Sequence, residues 1–498
     1  MLPRSLWALV SSLAFSLPEL IAAQSMSRML LLNTPLHLTG PNFTSNPLIF
    51  SLPMPPSTSS LNVSVALCNN VSASNLQFFV TNNSDVAIPG PDGGTDVWEL
   101  VVEDVGVGSL NVGMGDGAAT LAVWGGSASD SVELGVSADD PLHELLTTLP
   151  LFGDSTSNVA LLYSPPFLPP NPLQPIYPNY TLPPANLSLP TPPASTAPNF
   201  TLILAPASSR LSGQPQTACA LRNLVSTATE GQVLKQQDWL RDEDGWRTEW
   251  LISGLTPLTN YSMYTIQDGT KVNGPVFFTT KSASFACQLV HSLPFCPTAS
   301  YAIPLPPPPA RSAAYDAATL PTAVTTPLLS YLTNFTTSLL TSACGRDWYS
   351  PLRTCADCQR AYRHWLCSVS LPRCGEFPQS DTSTSASLSL GGDGNSQQVL
   401  SVPAALAPQP SGTNTRNPNF PPFGAPYTVL LPCLETCNAV DRACPNFLGF
   451  RCPLPSFNAN QSYGVGYVDG GAGKEGVMGG GSTGATQDRW GSVWCNAS

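Results

Sequence analysis

Short apolar runs, and runs in which apolar and polar positions alternate, follow one another over residues 27–163. Val97-Trp98-Glu99-Leu100-Val101-Val102 and Ala119-Thr120-Leu121-Ala122-Val123-Trp124 are examples, each bounded by Gly, Asp and Ser clusters. Such runs with turn residues at close spacing predict an antiparallel β-sandwich. Residues 164–198 then carry a proline at almost every third position. A ladder cannot form there, so an extended linker is expected. Strand patterns resume over 199–298. Leu255-Thr256-Pro257-Leu258-Thr259-Asn260-Tyr261, followed by Val276-Phe277-Phe278-Thr279-Thr280, resembles the tyrosine corner and later strands of a fibronectin type III domain. Pro304 and Pro306–Pro309 predict a second stiff linker over 299–325. Beyond it the period changes to helical. Thr326-Pro327 reads as an N-cap and first helical residue, ahead of Leu328, Leu329, Leu332, Phe335 and Leu339. In Cys355–Cys367 the residues Cys358, Ala361, Tyr362 and Trp365 share a face, as do Cys433, Cys437, Val440 and Cys444 further on.

The fold class expected is therefore multidomain, with two all-β sandwich-like domains followed by an α-helical disulfide-rich domain. The boundaries are a signal peptide at 1–23, an acidic sandwich at 24–163, a Pro-rich linker at 164–198 and a fibronectin type III-like domain at 199–298. A second Pro-rich linker covers 299–325, and a cysteine-rich helical domain covers 326–498. Within the last, 376–424 is rich in Ser, Gly, Pro and Asn, and 464–484 holds ten Gly, so both read as mobile insertions.

The N-terminus fixes the compartment. Arg4, an apolar run from Leu6 to Leu17 and small residues up to Ala23 have the layout of a secretory signal peptide, too short to span a bilayer comfortably. No later stretch is apolar over a membrane-spanning length, and no lipid-anchor tail is visible. Membrane association is thus expected through a partner or the retained N-terminus.

Fourteen cysteines suit an oxidising compartment: Cys68, Cys219, Cys287, Cys296, Cys344, Cys355, Cys358, Cys367, Cys374, Cys433, Cys437, Cys444, Cys452 and Cys495. All are expected to be bridged. Cys287 and Cys296 are near enough in sequence to close a small loop, which would leave Cys68 with Cys219 to tie the two sandwiches together. Sequons place N-glycans at Asn42, Asn62, Asn70, Asn82, Asn179, Asn186, Asn199, Asn260, Asn334, Asn460 and Asn496.

Charge is sparse and uneven. Charged residues make up 10% of the chain, well under the roughly 25% of ordinary domains. Between Arg28 and Arg210 there are thirteen Asp and Glu and no Lys or Arg, and the part before Leu340 carries the whole net charge of −12. A field of that sign repels nucleic acid and anionic lipid and attracts cations.

Catalytic chemistry has little to stand on. There are four histidines. Gly480-Gly481-Ser482-Thr483-Gly484 matches a nucleophile elbow, but it lies in a Gly-rich tract rather than between a strand and a helix. Cys355-Ala356-Asp357-Cys358 with His364 and Cys367 admits a zinc site, a redox pair or, by default, bridges to distant partners. Asp92, Asp96, Asp116, Asp139 and Asp140 are calcium-ligand candidates without EF-hand spacing. No cofactor is expected.

The cysteine framework carries the most specific pattern. Ala361-Tyr362-x-x-Trp365-Leu366-Cys367, Leu371-Pro372-Arg373-Cys374, Pro432-Cys433-Leu434-x-x-Cys437 and Cys444-Pro445-x-x-Leu448-Gly449-Phe450-x-Cys452-Pro453 resemble the fungal stretch-activated calcium channel component, the "mating-induced death" protein family. Gly153–Asn158 and Tyr177–Asn186 are similar to that family as well. The resemblance implies a frizzled-like cysteine domain and no enzymatic residues. It implies a place at the extracellular face of the plasma membrane, reached through the endoplasmic reticulum, on a pore-forming four-repeat calcium channel subunit. It also implies kinship with the cysteine-rich auxiliary subunit of the animal sodium-leak channel. Arg360, Arg363, His364 and Arg373 fall off the cysteine-bearing face or after a proline, so they are expected to be exposed and to bind the partner. The alternatives are a secreted adhesin or ligand receptor, and a secreted hydrolase or redox enzyme.

Overall fold

The computed structural model describes residues 28–54, 59–69, 75–113, 119–169, 182, 184, 197–209, 213–228, 230–309, 312–341, 349–376, 387–389, 399–401, 405–412, 416–454, 458–464 and 495–496. The expected signal peptide, almost all of the Gly-rich insertion and most of the first linker lie outside them.

The first β unit has strands β1 (Arg28–Met29), β2 (Leu36–Thr39), β3 (Leu48–Ser51), β4 (Ser60–Leu67) and β5 (Gln77–Thr81). It continues with β6 (Val97–Leu100), β7 (Val107–Gly113), β8 (Thr120–Trp124) and β9 (Ser131–Ser137). They form a sheet ordered β1-β3-β8-β5-β6 and another ordered β2-β9-β4-β7. Because side chains alternate across a strand, one face of each sheet is apolar. Phe50, Val80 and Leu121 from one sheet meet Leu61, Val63, Val65 and Leu134 from the other in one core.

The second unit has β10 (Glu144–Leu146), β11 (Leu151–Ser155), β12 (Val159–Tyr163), β13 (Phe200–Pro206), α1 (Ala218–Ala228), β14 (Gln232–Asp242), β15 (Gly245–Ser253), β16 (Asn260–Gln267) and β17 (Lys271–Thr279). Its sheets run β10-β17-β16-β13 and β11-β12-β15-β14. Residues 144–163 thus pair with 232–279, although by sequence they continue the first sandwich. Val159–Tyr163 is apolar at every position, so periodicity could not reveal which sheet it joins. Phe152, Ala160 and Leu162 face the sandwich core, where Phe152 stacks on Phe278 at 4.4 Å. The Thr256 N–H donates to the Tyr261 hydroxyl at 2.9 Å, and that hydroxyl donates to Glu230 at 2.6 Å.

The opposite face of β11 and β12 is buried too. Leu151, Val159, Leu161 and Tyr163 pack against Leu289, Ala302, Phe423, Val429 and Leu431. These belong to the third unit: β18 (Gln288–Leu289), β19 (Ala302–Ile303), α2 (Thr322–Thr341), α3 (Cys355–Ser370), β20 (Arg373–Gly375), β21 (Ser387–Ser389), β22 (Val399–Ser401), β23 (Leu406–Gln409), β24 (Tyr427–Leu430) and α4 (Leu434–Ala443). Among the described residues helices are few and strands dominate.

Three sequence expectations need correcting here. Residues 299–325 are not a spacer. Tyr301, Ile303, Leu305, Tyr315 and Leu320 are buried and β19 pairs with β18, while Pro306, Pro307 and Pro309 reach solvent, as do Ser312, Ala317 and Ala318. The helix α2 begins at Thr322, a turn before the expected cap, and Pro327 sits inside it. The segment 376–424 ends in ordered structure: β23 pairs with β24, and Phe420 and Phe423 are buried.

Candidate functional site

The cysteine-rich unit is held by long-range bridges. Cys287 bonds Cys374 and Cys296 bonds Cys367, so the expected Cys287–Cys296 loop does not form. Loop closure favours near neighbours, but the helical core draws each of these sulfurs to a different element. Cys358 bonds Cys444, Cys433 bonds Cys495, and Cys437 bonds Cys452. Cys68 bonds Cys219, joining β4 to α1 across 151 residues. Cys355 is bridged too, and no described cysteine is free.

The C-x-x-C is therefore neither a redox pair nor a zinc site: Cys358 and Cys367 bond elsewhere, which removes the thiolates both readings need. Two buried groups have the donor types of a metal site, Cys68 with Glu133 and Cys219, and Cys433 with Glu435 and Cys495. In each the two sulfurs are bonded to one another. Asp92, Asp96, Asp139 and Asp140 are exposed and belong to no such group among the described residues; Asp116 and the Gly480–Gly484 motif lie outside them.

Tyr362 and Trp365 are partly buried and pack against the core. Phe335 stacks on Tyr362, Phe450 meets Trp365 edge-on at 4.9 Å, and the Trp365 indole N–H donates to the Tyr463 hydroxyl at 2.8 Å.

The arginines depart furthest from expectation. Arg363 is buried; its guanidinium donates to the carbonyls of Phe295 and Pro184, each at 3.2 Å. Burial lowers its pKa to about 10. Arg373 is buried in β20, with Nε donating to Asp154 Oδ2 at 3.0 Å and Nη2 to the Gly153 carbonyl at 3.1 Å. Its guanidinium also lies 5.4 Å from the centre of the Tyr301 ring. Asp154 is 1% exposed, sits beside a bulge in β11, and has Lys281 Nζ 3.7 Å away. Gly153 must be glycine-sized, since a Cβ there would lie 2.9 Å from the Ser300 carbonyl oxygen. Arg360 is exposed as expected, but it pairs with Glu243 at 2.6 Å and with Asp357. His364 is half-buried. The four residues thus form no common docking face. Arg373 misleads in the sequence because its acid stands 219 positions away.

A second buried network lies at the same joint. The Glu249 carboxylate, 2% exposed, accepts from Tyr163 at 2.9 Å, Gln237 at 2.9 Å and Ser292 at 2.6 Å, and stands 3.0 Å from His291 Nδ1. Burial alone pushes the Glu249 carboxyl up; the hydrogen bond and charge of His291 and the bonds from Ser292 and Tyr163 outweigh it and hold the pKa low. A depressed carboxyl gives stability that is present above its unfolded value and lost as pH falls through the folded one. The melting temperature is accordingly expected to fall steeply once pH drops below the ordinary value of 4.5, and Glu249→Gln should flatten that fall. A melting series from neutral pH to about pH 3 checks it; identical acid limbs for the two proteins would refute it.

In the first unit, Ser64 Oγ lies 3.0 Å from His143 Nδ1, and His143 Nε2 lies 3.6 Å from Glu133, which also binds Arg222 at 3.0 Å. The residue types are those of a nucleophilic triad. Ser64 is 0% and His143 1% exposed, and Ser64 Oγ already accepts the His143 backbone N–H at 3.3 Å. No substrate reaches that hydroxyl, so the cluster ties β4 and β9 to residues 139–143.

Of the sequons, Asn199, Asn260 and Asn334 are exposed, while Asn42, Asn62 and Asn82 are half-buried. The Asn62 and Asn82 amide groups donate to the Asp139 and Gly113 carbonyls. Asn496 is 0% exposed, so a glycan there is incompatible with this fold. The Asn70, Asn179 and Asn186 sites, and the Asn460 side chain, lie outside the described residues. Glycopeptide mapping is expected to find sugar at Asn199, Asn260 and Asn334 and none at Asn496; occupancy of Asn496 on the folded protein would contradict the packing of the C-terminal segment.

Residues 60–480 match the family described as the stretch-activated Ca2+-permeable channel component Mid1. The chain belongs to this family. A stretch-activated cation channel MID1 from Cryptococcus neoformans var. grubii is 36% identical over 427 residues, covering 78% of this chain and 65% of that protein. The yam8 protein of Schizosaccharomyces pombe, also named a stretch-activated cation channel, is 28% identical over 254 residues, covering 49% of this chain and 46% of its own. The chain thus spans less than two thirds of the length of these relatives. Among solved structures, the pre-peptidase C-terminal domain of a Bacillus anthracis collagenase is similar to 22% of the chain at 15% identity, with a TM-score of 0.16. That score is too low to carry an argument. No described helix is long and apolar enough to cross a membrane.

Proposed function

We propose that this protein is an extracellular regulatory subunit of a plasma-membrane calcium channel, and that it supports calcium influx by assembling with the pore-forming subunit. The observation that carries this reading is membership of the Mid1 family over residues 60–480. Two structural features support it. A cysteine-rich unit bridged at every described cysteine suits an oxidising, extracellular setting. A pore needs spanning helices or a closed barrel lined by polar groups. The described helices offer no span, and the described strands close small packed cores. A partner would therefore supply the conduction path. The cysteine-rich unit would be frizzled-like and would form the docking module, with the acidic first sandwich raising local cation concentration around it.

Calcium uptake distinguishes a regulator from a pore. Deleting the protein should lower influx, and restoring it should recover influx only where the pore-forming subunit is present. Calcium conductance by the purified chain alone in a lipid bilayer would overturn the reading.

A further inference from the structure

With Arg363 and Arg373 buried, the chain's exposed positive charge in the cysteine-rich unit lies elsewhere. The Tyr349 hydroxyl donates to both the Thr354 carbonyl, at 3.0 Å, and the Ala443 carbonyl. The residues just before α3 and those at the end of α4 are thereby side by side. The Cys358–Cys444 bridge fixes that arrangement, with a Cα–Cα distance of 4.6 Å. On this shared end Leu352 is 86% and Phe447 59% exposed. Arg353 next to Leu352, Arg442 at the end of α4 and Arg451 just after Phe450 are exposed. None of the three makes an ion pair among the described residues. Two acids stand near them: Asp357, which pairs with Arg360 and the Thr354 cap and also feels the charge of Arg353, and Asp441 next to Arg442. Exposed apolar side chains among arginines that make no direct ion pair, on a disulfide-held frame, have the composition of a binding surface, where aromatic residues and Arg are enriched.

We propose that this end of the α3–α4 pair, formed by Leu352, Arg353, Arg442, Phe447 and Arg451, is the docking surface for an acidic protein partner. Resting on the function proposed above, that partner is the carboxylate-rich outer surface of the pore-forming subunit. Charge complementarity selects the occupant. The arginine fork binds carboxylates bidentately, and a cation channel's outer mouth gathers such groups. An aromatic and a leucine among the arginines supply the dry centre that such an interface needs. A bilayer fits less well. The anionic leaflet is the cytoplasmic one, whereas these bridges belong outside the cell. Two apolar tips also bury too little for stable anchoring.

The test uses the full chain in cells with the pore-forming subunit. The triple variant Arg353→Glu, Arg442→Glu, Arg451→Glu should reach the cell surface at wild-type level, since all three side chains are exposed. It should retrieve at least about tenfold less pore-forming subunit. Phe447→Ser with Leu352→Ser, which leaves charge untouched, should weaken retrieval in the same direction. Undiminished retrieval by the triple variant overturns this surface but leaves the proposed function standing. No retrieval by the wild type overturns both. Binding of the wild type to phosphatidylserine vesicles that the triple variant loses, with pore-subunit retrieval unchanged, assigns the patch to lipid and overturns the protein partner.

Discussion

Cys367→Ser is expected to abolish delivery of the protein to the cell surface. Cys367 is completely buried and its bridge to Cys296 ties α3 to the segment after β18, closing a loop of 71 residues. Losing a native bridge of this kind costs about 2–5 kcal/mol, comparable with the whole stability of a small domain. The damage extends beyond α3, because Val290, Phe295, Tyr301, Leu328 and Leu332 share one apolar cluster with Cys367. Surface labelling and calcium uptake should both fall close to the level of the deletion. Cys296→Ser should match it, since either change removes the same bond. Normal surface amounts for either variant would mean that the bridge does not hold the cysteine-rich unit together.

Arg373→Glu is expected to be as severe, for a different reason. Asp154 and Arg373 are 1% and 7% exposed, and the pair joins the second sandwich to β20. Reversing the charge sets two buried carboxylates against each other and leaves Lys281 as the nearest cation. Breaking a buried pair by losing one partner costs about 3–5 kcal/mol, mostly the expense of stranding the other charge. Arg373→Met alone should therefore also fail to mature. The double variant Asp154→Leu, Arg373→Met should recover much of the surface protein, because it strands no charge on Asp154. A single Arg373→Met with normal maturation, or a double variant no better than the single, would show that the clasp is not what joins the two units.

Much of the β architecture was legible in the sequence because its strands are short apolar or alternating runs set between turn residues. The runs at Val97–Val102 and Ala119–Trp124 contain β6 and β8, and the packing of Cys358, Tyr362 and Trp365 into a helical core follows from their spacing. What was not legible depends on contacts far apart in the chain. β11 and β12 are covered on both faces, so they lack the alternation that marks a sheet's inner side, and their neighbours come from beyond residue 230. The proline run at 306–309 suggests a linker, yet the flanking Leu305 and Tyr315 enter the core while the prolines between them loop outward. Arg363 and Arg373 look like surface charge by composition. They are buried because backbone carbonyls of Phe295, Pro184 and Gly153 and the Asp154 carboxylate wait in units folded from other parts of the chain. The basic and apolar end of α3 and α4 escaped notice for the converse reason. Arg353 and Arg442 are 89 positions apart in sequence, and only Tyr349 and the Cys358–Cys444 bridge hold the start of α3 against the end of α4, where they lie.

The central claim is that this chain works as a subunit alongside a separate pore. Affinity purification of the full chain from solubilised membranes, followed by mass spectrometry of what accompanies it, tests that most directly. A large polytopic cation channel subunit is expected at near-stoichiometric amount, retained by the wild type and lost with Cys367→Ser. Recovery of the chain at full yield with no channel subunit, under conditions that preserve calcium uptake up to the moment of extraction, would contradict the account.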